Sequence, residues 1–186
     1  MPGIYDCSRG GALRQGEMMT ELMEVRLALD TVDSELKDAQ VIIHPFAIVL
    51  TQDCDLTQDW RQRQSLPVDE GKLLPSVLFA QVHQALHLRA RIEGSEMWKR
   101  VKQNKDERYH FLEAVPDQED ALGEGLPELG IDFKRYFTIP TDEVYKRIEK
   151  DTRRRCRLRS PYLEHLSTRF CYYQFRVALP EDHRSA

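Results

Sequence analysis

The sequence predicts a mainly β protein with helices, an α+β fold in which a curved antiparallel sheet or small barrel carries a docked C-terminal helix. Three observations predict it. Phe46 to Leu50 is an unbroken apolar run of strand length, rich in β-branched residues. Leu73 to His83 is apolar on both of its alternating faces, as a central strand is. Leu163, Leu166, Phe170, Tyr173 and Val177 keep a three-four spacing that lays one apolar stripe along a helix.

The remaining elements follow in chain order. Met1 to Arg9 has no periodicity, and residues 1–12 read as a loose tail. In Met18 to Leu29 helical spacing and strand alternation are both present and neither prevails. Asp30 to Gln40 is polar, either a loop or a short surface helix. Val41 to Thr51 is the central strand, with Pro45 marking a bend or an edge-like start. Thr57 to Lys72 is polar, contains Pro67 and Gly71, and reads as an exposed loop.

Gln84 to Lys105 changes period to a helical excursion. Arg108 to Val115 is a third strand, stopped by Pro116 before an acidic loop. Ile131 to Ile139 alternates as a half-buried strand, Thr141 to Lys150 suits a short helix, and Arg155 to Arg159 a last strand. Ser160-Pro161 has the residues of a helix start, a hydroxyl cap followed by proline, and the helix extends over residues 160–179 before Pro180. No repeat or linker divides the 186 residues, so a single domain is expected.

Composition sets the class. Apolar residues at 41% and charged residues at 31% describe a globular chain rather than a disordered one. No apolar run reaches the length of a bilayer span and no signal peptide opens the chain, so a cytoplasmic location without membrane contact is expected. Cys7, Cys54, Cys156 and Cys171 are scattered with no Cys-x-x-Cys pair, which argues against a structural zinc site and a disulfide framework. Reduced thiols are the expected state. The net charge of −4 exerts no global pull on nucleic acid. It is unevenly spread, however: an acidic block at Asp117 to Glu128 is followed by Arg153, Arg154, Arg155, Arg157 and Arg159.

The candidate chemistry gathers where the central strand ends, at Thr51-Gln52-Asp53-Cys54-Asp55. These side chains can hydrogen-bond, ligate or react, and a core strand delivers them to the surface. Cys54 lies between two carboxylates, which oppose thiolate formation, so the plain reading is a small thiol in a turn whose aspartates cap backbone amides. The same residues with His44, His83 or His87 are of types that suit zinc, but their spacing matches no standard site, and no metal or cofactor is expected. Arg155 and Arg157, alternating on a strand, can face phosphates, while arginine on an edge strand is also a common solubility device.

His44-Pro45-Phe46-Ala47-Ile48-Val49-Leu50-Thr51 resembles the basic-Pro-x-apolar-strand-Ser/Thr signature of PemK/MazF-type bacterial toxins, and Arg14-Gln15-Gly16-Glu17 resembles their opening turn. Pro75 to Ala80 is similar to their next core strand. The resemblance implies an SH3-like barrel, single-stranded RNA as ligand, metal-independent RNA cleavage, and an antitoxin or other protein partner, with a homodimer compatible. The chain also resembles a group of uncharacterised bacterial proteins with a (Ser/Thr)-Gln-x-Cys-Asp-(Ile/Leu) motif, here Thr51 to Leu56. Their Arg-rich strand, Ser-Pro-Tyr and closing helix match Arg155 to Pro180. That match covers more of the chain and implies no activity.

The toxin family's arginine and threonine correspond to His44 and His83 here. If the chain cuts RNA, these two histidines are the expected general base and acid. Thr51, Gln52, Asp53, Cys54 and Asp55 would then position substrate, and Arg155 or Arg157 would bind its backbone. The rival expectation is a non-catalytic interaction module that has kept only the fold.

Overall fold

The structure, a computed structural model, describes residues 3–8, 10–28 and 38–175. Among them the chain runs β1 (Tyr5–Cys7), β2 (Glu17–Ala28), β3 (Asp38–Val49), α1 (Asp53–Arg63), β4 (Ser76–Gln84), α2 (Ala85–Arg89), α3 (Ser95–Lys102), β5 (Tyr109–Leu112), β6 (Leu129–Pro140), α4 (Thr141–Lys150), β7 (Arg153–Leu158) and α5 (Tyr162–Gln174). The seven strands form one antiparallel sheet in the order β1-β7-β2-β3-β4-β6-β5. Its two outermost strands, β1 and β5, do not pair with each other, so the sheet does not close into a barrel. The α+β expectation holds. No helix among the described residues is long and apolar enough to cross a membrane.

Strand alternation sends side chains to opposite faces, and here both faces are covered by helices. On one face Met18, Ile48, Ala80, Val82, Ile131 and Cys156 pack with Leu166 of α5, against which Leu163, Phe170 and Tyr173 also lie. On the other, Met19, Ala47, Val49, Phe79 and Ile139 pack with Leu56 of α1 and Val144 of α4. This double cover explains why β3 and β4 read as apolar on both sides. A third cluster joins α2, α3 and β5 through Leu88, Val101 and Phe111. Both tryptophans fold back on the body, Trp98 edge-on to Phe111 at 6.2 Å and Trp60 against Tyr145 at 5.4 Å.

Several expectations are corrected. The N-terminal tail contains β1, which pairs with β7. The region from Met18, whose spacing leaves helix and strand both open, is strand β2. The polar stretch after Thr51 is largely helix α1, whose two buried positions, Leu56 and Asp59, give no apolar stripe because one of them is a carboxylate. Ser160 does not cap α5, which opens one residue later with Pro161 at the cap position. Residues 1, 2, 9, 29–37 and 176–179 of the expected elements lie outside the described residues.

Pro45 sits within β3 rather than at its start. The β2–β3 pairing passes from Thr20↔Phe46 to Leu22↔His44, skipping Glu21, whose φ is 57°. Proline has no N–H for the ladder, and the interruption there is the physical cause of the skip. Beyond this point neither β7 nor β4 pairs with the hairpin, which continues as a two-stranded ribbon. One face of the ribbon carries Met23, Val25, Leu27, Ala39, Val41 and Ile43, and the last two are 56% and 58% exposed.

Candidate functional site

Arg14-Gln15-Gly16-Glu17 forms the turn that enters β2. Gly16 has φ +73°, a backbone conformation that favours glycine, and a Cβ there would stand 2.7 Å from Leu163 Cδ1, so that side chain would have to shift. The turn docks on the first residue of α1. The Asp53 carboxylate accepts hydrogen bonds from Arg14 Nε at 2.9 Å and from the Gln15 N–H at 2.8 Å. Burial pushes the Asp53 carboxyl up, but these bonds, with the charge of Arg157 behind them, outweigh it and hold it below the usual carboxylate range. Replacing Asp53 with alanine is expected to cost about 1–2 kcal/mol, chiefly through the orphaned Gln15 N–H because the Arg14 pair is partly exposed. A urea titration of the variant measures it.

Behind the turn lies a polar cleft of about 400 Å³, bounded by β1, by Ser8, Gly10, Ala12 and Arg14, and by the start of β2 and β7. Glu17, 1% exposed, is its floor. Its carboxylate accepts from Ser8 Oγ at 2.6 Å, the Arg14 N–H at 3.1 Å and Arg154 Nε at 2.6 Å. Arg154 also donates to the carbonyls of Gly11 and Ala12, so all of its reach is spent on holding this wall together. Arg157 is different. It lines the same cleft, and its guanidinium has no hydrogen bond or ion pair with any described residue; its Nε is buried without a partner.

The residues singled out in the sequence fall into separate places. Thr51 is structural, its Oγ1 accepting from the Leu78 N–H at 2.7 Å. Gln52 occupies the cap position of α1 with no side-chain cap bond. Cys54 and Asp55 are exposed in the first turn, the thiol 3.5 Å from Asp55 Oδ1. The expected turn at Thr51–Asp55 is therefore a helix start.

Arg155 is buried, paired through Nε and Nη2 with Asp120 at 2.8 and 2.6 Å and with Glu124 at 3.0 Å. It is not free to bind a nucleic-acid backbone.

His44 and His83 do not reach the cleft. His44 is 2% exposed on β3, stacked on Phe137 at 4.1 Å, and its Nε2 lies 2.8 Å from Glu24 Oε2. A proton-transfer group must be reachable by its substrate, and this imidazole is shut in between Phe137 and Glu24. His83 is half-buried on β4, where burial, then Arg91 and Arg135, push its pKa down. No hydrogen bond, ion pair or ring contact joins the two histidines.

Comparison with known proteins finds no matching family model, no similar curated protein and no similar solved structure. The likeness to PemK/MazF proteins rests on its short motifs alone.

The cleft's other polar residues, Ser8, Glu17 and Arg154, were not among the sequence candidates. Nothing in their order announces them, since Glu17 and Arg154 meet only because β2 and β7 are neighbours in the sheet. The basic run at Arg153–Arg159 was the available signal. It pointed to the right strand but did not show which arginine is unpaired.

Proposed function

We propose that this protein is a non-catalytic RNA-binding module, in which Arg157 receives a backbone phosphate of a single strand in the cleft beside Glu17. The observation that supports the reading is charge accounting inside the cleft. Arg154 is bonded to Glu17 and Arg14 to Asp53, whereas Arg157 faces the same space with no direct hydrogen bond or ion pair to a described residue, its charge reaching Asp53 only at a distance. An unpaired guanidinium at the wall of a polar cleft is suited to a phosphate oxygen. Single-stranded RNA as the ligand, and a distant SH3-like kinship, come from the PemK/MazF resemblance. The position of His44 is the reason the reading is binding rather than cleavage.

The test is fluorescence anisotropy of a labelled mixed-sequence oligoribonucleotide with EDTA present. Wild type is expected to bind, more weakly as salt rises. Arg157→Ala should weaken binding about tenfold and lower the salt slope by about 0.7 per lost phosphate contact. Cutting of the probe would reinstate the nuclease reading. Absence of wild-type binding would leave the interaction-module reading, for which the aliphatic face of the β2–β3 ribbon is the exposed surface.

A further inference from the structure

Cys7 and Cys156 stand far apart in sequence but directly opposite each other in the β1–β7 ladder. The hydrogen bonds flanking them fix the kind of pair they form. The Ser8 N–H donates to the Arg155 carbonyl at 3.2 Å, and the Arg159 N–H donates to the Ile4 carbonyl at 2.9 Å. Those two residue pairs are therefore the closely bonded positions of the ladder, and bonded positions recur at every second residue. Tyr5↔Leu158 and Cys7↔Cys156 fall in the non-bonded positions between them. There the Cα atoms of an antiparallel pair approach to about 4.5 Å and the side chains come closest. That separation lies at the short end of the range of about 4.4–6.8 Å that a disulfide spans.

We propose that Cys7 and Cys156 form a cross-strand dithiol, a site of reversible disulfide formation that locks β1 to β7. The two thiols are free in this structure. Their environments divide the work. Cys7 is exposed at the sheet edge, its Sγ donating to the Gln118 carbonyl at 3.3 Å, so it meets a soluble oxidant first. Cys156 is fully buried among Met18 and Leu158 and is reached only by its neighbour.

With a small-molecule disulfide as oxidant, the Cys7 thiolate attacks one of its sulfurs. The oxidant's S–S bond breaks, one thiol leaves, and a mixed disulfide remains on Cys7. Cys156 then gives up its proton and attacks the Cys7 sulfur, expelling the second thiol. The protein loses two electrons and two protons, and the oxidant becomes two thiols. Burial pushes the Cys156 thiol up, so this second step is slow and sets the overall rate. Closure breaks the Cys7–Gln118 contact and fixes the strand that supplies Asp6 and Cys7 to the cleft wall. The inference is independent of the proposed ligand.

The experiment incubates the folded full chain with glutathione disulfide, quenches with an alkylating agent and maps peptides without reduction. A Cys7–Cys156 cross-link, with an intact mass about 2 Da lighter, is expected. It should persist in the Cys54→Ser/Cys171→Ser double variant and vanish on adding dithiothreitol. Cys7→Ser changes only an exposed side chain and should abolish the mass loss while keeping the wild-type circular dichroism spectrum. Glutathione retained on Cys7 with Cys156 still alkylatable, or Cys7 bridged to Cys54 or Cys171, overturns the proposal.

Discussion

Replacing Arg155 with alanine is expected to remove about 3–5 kcal/mol of folding stability, the usual consequence of stranding one member of a buried ion pair. The Asp120 side chain is wholly buried, and Arg155 supplies two of its hydrogen bonds. What remains to it is a bond from the Glu124 N–H at 3.1 Å together with the neighbouring Leu122 N–H. Burial alone pushes the Asp120 carboxyl up, and the Arg155 hydrogen bonds are the leading reason it sits below the usual range instead. Without them the carboxylate must either stay charged in a poor solvent or take up a proton. The guanidinium also donates to Glu124 and to the Gly125 carbonyl, so its loss frees the whole 120–125 turn.

The urea midpoint of Arg155→Ala reads the loss. An Arg155→Met/Asp120→Leu double variant should regain most of it, because removing both charges abolishes the desolvation cost together with the attraction. A loss below about 1 kcal/mol in the single variant would mean that water reaches Asp120 and that the pair is not buried in solution. Per folded molecule, the RNA affinity of Arg155→Ala should match wild type, in contrast to Arg157→Ala. Two arginines two residues apart on one strand thus separate into a structural and a binding role.

That separation marks the limit of what the sequence reveals. The apolar runs at Phe46–Leu50 and Val77–Ala80 locate the centre of the sheet because hydrophobicity without interruption has few other homes. The stripe from Leu163 to Tyr173 locates α5 for the same reason. Helix α1 was obscured by Asp59, which is buried yet charged; it is satisfied by Arg63 Nε at 2.7 Å and the Leu74 N–H at 2.8 Å, partners that only the folded chain provides. β1 was obscured by its length of three residues, too short for any period to register.

His44 shows the same limit at the candidate site. Beside Pro45 it looks like a motif residue. Its depth depends on Phe137 from β6, and its partner Glu24 lies across the hairpin. The pairing state of Arg157 is a property of the tertiary structure alone.

His110 gives the second large effect, a steep dependence of stability on pH. Its ring lies on β5, 3% exposed, between Phe133 and His165, and its Nδ1 is buried with no hydrogen-bond partner. Burial first, then the charges of Arg169 and His165, push its pKa down to about 3. In the unfolded chain the same imidazole titrates near about 6.5. The folded form therefore binds the proton less readily, and stability is intact above pH 6.5. It falls as the pH drops from about 6.5 toward 3, where the unfolded state alone takes up the proton, by roughly 4 kcal/mol over the whole window. The carboxylates act lower. Glu24, Asp53 and Asp120 have depressed values in the fold, so their contribution is full above about pH 4 and declines below it.

Denaturant titrations between pH 7 and pH 4 should isolate the histidine window. His110→Phe keeps a planar ring beside Phe133 and removes the most strongly shifted group, so its stability should decline much less across that range than wild type's, the remainder coming from His83 and His165, which burial also shifts down. His83 is also shifted down by burial but only half-buried, so His83→Gln should keep most of the wild-type slope. A wild-type stability that does not change between pH 7 and pH 4.5 would place a proton on His110 in the fold. The contact between β5 and α5 would then have to open to water, for desolvation by that contact is what keeps the imidazole neutral.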